Sequence, residues 1–527
     1  MNSLPNSDNP IIKRVLIVGG GTAGWLTAGL LAKRLNCATN DAVEVSLVES
    51  DRIPILGVGE GTWPTIRSTL HTLDIDETEF IRECDATFKQ GSEFVNWVNT
   101  PKDGERSSYH HPLSSVFHSA YDFNLAAYWL LKKKSSGIKY DQAVASQAHM
   151  CDANRAPKKI TTPAYSAIQN YSYHLDAGKF ARFMQKHCVE NLGVRHIVAD
   201  VLSAEIDDTG DISCVQTEQK GQLDADFFID CTGSKALLIG EVLGVEYTSL
   251  KGTIFNDTAL AAHVPYAHEQ ENIATHTIAT AHESGWTWDI GLSERRGVGF
   301  VYSSAYTNDS EAEKQLRSYI GKRSEEISIR KIKFESGYRE KFWHKNCLAI
   351  GMSAAFIEPL EASAIFLVEA AVNMLTDQFP TTRSDMDYVA RQYNSIYRLR
   401  WDKTVDFVKL HYCISKRRDH VYWIDNCAKS TIPDSLQAKL EHWRTHLPSK
   451  YDFDYAFEPF VLDSYLFVLY GMEYETDITS GAHRYTDWQR ADAMFADISG
   501  TVEKLKQELP QQRTLIDQVK QHGFSRI

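Results

Sequence analysis

The feature that most constrains this chain lies at its start. The segment Arg14 to Val18 is apolar and β-branched, turns through Gly19-Gly20-Gly21, and continues into Thr22 to Leu35, whose apolar spacing is that of a helix. A second apolar strand, Val43 to Val48, ends on Glu49. Strand, glycine turn, helix, strand and acid in this order predict the βαβ start of a dinucleotide-binding α/β fold. In Gly19-x-Gly21-x-x-Gly24 the glycines permit a tight turn and close backbone approach, so that free N–H groups at the helix start, around Thr22 and Ala23, face a pyrophosphate. Glu49 is placed to accept hydrogen bonds from an adenosine ribose. The loop alone does not separate FAD from NAD.

Further strands are predicted at Asp226 to Gly233 and at Cys347 to Gly351, which implies one FAD-binding unit assembled from distant parts of the chain. We expect that unit to span residues 10–380, with an insertion at about 98–170. A mainly helical region, 381–527, is expected to pack over the substrate site, with amphipathic stretches at Tyr388 to Lys409 and Ala491 to Lys520. The 527 residues, 43% hydrophobic, suffice for a large core and exclude a disordered chain. A net charge of −13 without a basic stripe argues against nucleic acid as a partner. Nine scattered cysteines with no CxxC pair fit a reducing cytoplasm, and no metal site is expected. The polar start, Met1 to Pro10, and the short apolar run after it predict no membrane anchor.

GGGTAGW (Gly19 to Trp25) is followed by GVGEGTWPTI (Gly57 to Ile66), FKQGSEFVNW (Phe88 to Trp97), YHLDA (Tyr173 to Ala177), ADFFIDCTG (Ala225 to Gly233), GWTWDI (Gly285 to Ile290), GVGFVYSS (Gly297 to Ser304) and NCLAIGMSAAFIEPLEASAI (Asn346 to Ile365). In this order the motifs resemble those of the flavin-dependent tryptophan halogenases. The resemblance implies a flavin-monooxygenase-like (glutathione-reductase-type) α/β fold. It also implies FAD delivered as FADH2 by a separate NAD(P)H-dependent flavin reductase, and O2 and a halide ion consumed to make hypohalous acid. That oxidant would travel inside the protein to a lysine beside a small aromatic substrate. On the matching positions the lysine is Lys89 and its partner glutamate is Glu361. Flavin contacts fall on Gly19 to Gly24, Glu49, Ser50, Ile53, Val58, Gly61, Met352 and Ile365.

The residue types suit that chemistry. A lysine amine can hold an oxidant beside one ring carbon by a hydrogen bond or as a haloamine. The apolar setting of Lys89, between Phe88 and Phe94, would make its charge costly. Local sequence alone favours a surface lysine on an amphipathic helix, and the match around Phe88 to Trp97 reverses that. Glu361, behind Pro359, is expected to open a helix running to Leu375, where a carboxylate can merely stabilise the helix end. As a partner of Lys89 it could instead polarise the oxidant or take the ring proton. The amides of Ser363, Ala364 and Ile365 at the same helix end suit a halide. Trp286 and Trp288, on alternating strand positions, share a face. In the family such a stretch lies by the flavin and keeps substrate away from it.

Three departures bear on substrate and halide. Glu361-Ala362-Ser363-Ala364 replaces the family's Glu-Ser-Thr-Gly. In Tyr109 to Leu113, His111 is retained, but Leu113 stands where the family has a phenylalanine. Lys450 to Tyr470 carries no clear aromatic lid, and Val461 follows Phe460 where Phe-Trp is usual. Together these predict an indole or indole-bearing substrate other than free tryptophan, and bromide over chloride. Alternative readings are an FAD-dependent aromatic monooxygenase, or a non-catalytic flavoprotein binding a carrier-tethered substrate. Retention of Lys89 and Glu361 argues against the latter.

Overall fold

A computed structural model describes residues 10–39, 43–53, 57–102, 104–116, 119–454 and 456–525. The polar stretch before Pro10 lies outside the described residues. The expected βαβ start is present. Strand Arg14–Val18 leads into helix Thr22–Arg34 and pairs in parallel with Glu44–Glu49 on one side and Phe227–Asp230 on the other. Strands Arg195–Val198 and Cys347–Ala349 extend this sheet in parallel, and Trp343–His344 closes one edge antiparallel. The inner strands are buried nearly throughout, because helices cover a parallel sheet on both faces. The sheet therefore collects residues from four distant parts of the chain, as anticipated.

A second, mixed sheet of seven strands stands beside it, ordered Ile329–Lys333, Thr258–Pro265, Arg295–Tyr302, Gly285–Gly291, Thr277–His282, Gly91–Val95 and Ser108–Pro112. A small antiparallel sheet, Gly59–Gly61 with Ser172–Asp176 and Thr87–Lys89, joins the two. Ser172–Asp176 is its central strand, with the glycine-rich strand on one side and the lysine-bearing one on the other. The helical region is dominated by the 31-residue helix Arg383–Cys413, whose start is fixed by a capping box between Thr382 and Asp385. The segment before it is tied down: Ile12 N–H donates to the Thr381 carbonyl at 3.0 Å.

Two expectations are corrected. Glu361 does not open the helix. Pro359 to Ala362 forms a turn, with Ala362 N–H donating to the Pro359 carbonyl at 3.1 Å and Ala362 at φ +53°, and the helix is Ala364–Asp377 with Ser363 as its N-cap. The single amphipathic stretch Ala491 to Lys520 is two helices, Trp488–Glu508 and Gln512–His522. Pro510 between them lacks the N–H that a continuous helix needs. All nine cysteines are free thiols. Among the described residues no helix is long and apolar enough to cross a membrane, and no cluster of ligating side chains could hold a metal ion.

Candidate active site

A cavity of about 440 Å³ opens at the carboxyl ends of the parallel strands. Gly19, Gly20, Gly21, Thr22, Ala23, Glu49, Ser50, Ile53, Met352, Ala364 and Ile365 line it. Gly24, Val58 and Gly61 do not. Gly19 adopts φ +113°, and a Cβ on Gly24 would collide with the Gly19 carbonyl, so the turn itself requires both residues. Helix Thr22–Arg34 has no side-chain cap at Gly21, which leaves its first amides directed at the cavity. Glu49 stands at the end of its strand with His196 Nε2 2.9 Å away. A ribose acceptor, an open anion-binding helix start and an apolar wall reaching Tyr397 and Trp401 fit FAD. Glu60 also lines the cavity, and burial pushes its carboxyl up to about 7. Sequence reasoning passed over it because a lone acid inside a glycine strand carries no signature.

Lys89 ends its strand and is 1% exposed. Its Nζ donates to the Thr62 carbonyl at 3.2 Å. Burial pushes the ammonium down to about 8 against the opposing charge of Glu361. Gly61 lies between Lys89 and Ala362: a Cβ built on it would sit 3.5 Å from Lys89 Nζ and 3.2 Å from the Ala362 Cβ. Lys89 and Glu361, singled out from distant motifs, therefore come within electrostatic reach of each other beside Gly61.

Glu361 is buried between two histidines. His111 Nδ1 lies 3.0 and 3.1 Å from its two oxygens, and His411 Nε2 lies 2.9 Å from Oε1. Burial alone would push this carboxyl up. The charge and hydrogen bonds of His111, joined by those of His411, outweigh burial and hold it well below the usual carboxylate range. His411 was not anticipated, since one histidine in a long amphipathic helix reads as core. Trp63 Nε1 donates to the Glu361 carbonyl at 2.8 Å. Its ring stacks on Phe366 at 4.4 Å and meets the edge of Phe460 at 4.7 Å. Phe460 in turn stacks on Phe407 at 3.8 Å. The segment expected to lack an aromatic lid thus supplies Phe460 as an inner wall, and Val461 serves as N-cap of the next helix, Leu462–Gly471.

The remaining candidates are placed as follows. Leu113 is half-buried, and its backbone bonds Gln90 and Asn170. Trp286 and Trp288 share one face with ring centroids 6.4 Å apart. Both are buried, Trp286 packing on Trp97 at 6.2 Å, and neither lines the cavity. Ser363 is buried at the start of helix Ala364–Asp377, while Ala364 is exposed towards the cavity. No side chain caps that helix start.

A dinucleotide fold with a buried lysine and an anchored carboxylate behind its cavity is that of a flavin-dependent oxidoreductase acting at a second, enclosed site. The chain belongs to the tryptophan halogenase family, whose model matches residues 14–487. It is 34% identical to tryptophan 6-halogenase SttH of Streptomyces toxytricini, over 96% of this chain and 98% of that one. It is 31% identical to tryptophan 7-halogenase RebH of Lentzea aerocolonigenes, over 97% and 99%. The solved tryptophan halogenase of Shewanella frigidimarina NCIMB 400 superposes with a TM-score of 0.93 at 43% identity, covering 98% of this chain and 99% of that chain. The protein is accordingly a flavin-dependent halogenase.

Proposed function

We propose that the chain halogenates an indole or indole-bearing compound other than free tryptophan, with bromide preferred, and that Lys89 and Glu361 carry the transfer. The observation that supports this best is the isolation of Lys89: buried, bonded to one carbonyl, and behind the cavity wall. Reduced FAD, when bound, supplies hypohalous acid from O2 and halide. Lys89 then donates a hydrogen bond to the oxygen of that acid beside the ring. The carbon–halogen bond forms as the halogen–oxygen bond breaks, and the departing hydroxide takes the proton that Lys89 holds towards it and leaves as water, the ring proton later restoring the ammonium. Glu361, held as a carboxylate by His111 and His411, stabilises the positive charge that develops on the ring and receives the ring proton. As the weak base its environment makes it, it serves chiefly as a fixed negative charge.

Bromide preference is supported by Ala364, whose methyl group stands at the uncapped helix start and would hold an anion farther from its amide donors. The substrate reading is supported by Leu113 and Val461, which remove aromatic contacts worth about 0.5–1.5 kcal/mol each. The test is mass spectrometry of indoles, pyrroles and phenols incubated with the enzyme, a flavin reductase, NADH and either halide. Halogenated indoles support the reading. Products that gain only oxygen would overturn it.

A further inference from the structure

A second cavity, of about 340 Å³, lies between helices Ala364–Asp377 and Arg383–Cys413 and shares no lining residue with the flavin cavity. Phe366, Met374, Val389, Ile396 and Phe457 give it an apolar lining. Its inner wall is one aromatic layer from the active site, because Phe366 stacks on Trp63, and Trp63 bonds the Glu361 carbonyl.

The polar groups of this cavity are unevenly satisfied. Glu369 is not a free acid there: it accepts from the hydroxyls of Thr65 and Thr69, and burial pushes its carboxyl up to about 7. Arg400 is different. Its Nε is buried without a hydrogen-bond partner, and among the described residues no carboxylate pairs with its guanidinium. The Phe457 ring lies 5.8 Å from the guanidinium carbon. The hydroxyl of Tyr393, a residue 3% exposed on the same wall two turns earlier along this face, is likewise buried without a partner. Buried donors without acceptors are rare. A planar carboxylate is the ligand that a guanidinium fork matches, and an apolar, aromatic-lined cavity takes a ring.

We propose that this cavity is a binding site for an aromatic carboxylate, with the acid on Arg400 and the ring against Phe366 and Phe457, and that it serves as the vestibule from which such a substrate passes to Glu361. The vestibule role rests on the halogenase reading above; the binding site does not.

The test compares indole-3-propionate with its uncharged amide by calorimetric titration of the FAD-loaded protein, in wild type, Arg400→Gln and Arg400→Lys. Wild type should bind the acid about tenfold more tightly than the amide, corresponding to about 1.4 kcal/mol. Arg400→Gln should abolish that difference by weakening the acid alone, and Arg400→Lys should restore part of it. In turnover, Arg400→Gln should raise KM for the acid with little change in kcat. Equal binding of acid and amide by wild type, or equal loss of both in the variant, would overturn the proposal. So would weakened FAD binding in Arg400→Gln, which would assign the guanidinium to the flavin cavity that Tyr397 and Trp401 line. If wild type halogenated no aromatic compound yet kept the Arg400-dependent preference for the acid, the halogenase reading would fall and the site would stand.

Discussion

His411 places Nε2 2.9 Å from Glu361 Oε1 while its Nδ1 lies 2.9 Å from the Phe407 carbonyl. The ring is thereby held between the helix backbone and the carboxylate of Glu361. His411 occupies a wholly buried position among Phe94, Trp97 and Phe407. It is a positioning residue for Glu361, and several measurable consequences follow from it and its neighbours.

Replacing His411 by Phe removes the ring nitrogen beside Glu361 but keeps a ring in an aromatic setting. Glu361 would lose one of the two groups that hold its carboxyl below the ordinary value of 4.5. A carboxyl depressed on folding contributes stability above its unfolded value and loses that contribution on acidification. The variant should therefore melt lower than wild type near neutral pH, with the gap narrowing in acid, and kcat should fall about tenfold. The distinguishing readout is the acid limb of the kcat profile, which should move to higher pH. A fall in stability with an unmoved acid limb would mean that His411 only packs.

Lys89 should cost stability at neutral pH. Its ammonium falls from 10.5 to about 8 on burial, which at about 1.4 kcal/mol per unit makes folding unfavourable by about 3 kcal/mol. The penalty is complete below pH 8, where both states are protonated. It disappears as pH rises from 8 to 10.5, where the unfolded chain alone holds the proton. Lys89→Met should therefore be more stable than wild type at pH 7, by up to this amount, in urea denaturation, and the advantage should shrink through that window. A destabilised Lys89→Met would show that the lysine is structural.

What the sequence made legible was local. The strand, glycine turn and helix at Arg14 to Arg34 needed only apolar periodicity and the special backbone of Gly19, and both motif-borne residues, Lys89 and Glu361, meet in space. What escaped was set by packing over long separations. His411 and Phe460 gain meaning only when helix Arg383–Cys413 passes beneath Glu361. The start of helix Ala364–Asp377 was misplaced because Ala362 adopts a left-handed turn that alanine rarely takes. Pro510, by contrast, was a helix break visible in the sequence.

Halide and substrate preference can be read in one competition between indole and tryptophan, run in chloride and in bromide. Bromide and indole should be favoured, with indole reacting at C3, its most nucleophilic carbon. Ala364→Gly should shift the ratio several-fold towards chloride by letting the anion approach the amides of helix Ala364–Asp377. Efficient chlorination of tryptophan on its benzo ring by the wild type would contradict the reading of Leu113, Val461 and Ala364 together.

The most direct test of the account is the Lys89→Ala variant, assayed with reductase, NADH, O2, bromide and indole, with a trap for free hypobromous acid and with FAD affinity measured alongside. Wild type should yield a product bearing the bromine isotope pair. Lys89→Ala should bind FAD as wild type does and still deliver hypobromous acid to the trap, while its yield of brominated indole falls by at least about a hundredfold. Undiminished bromination of indole by Lys89→Ala would contradict the assignment of Lys89 as the residue that delivers the halogen.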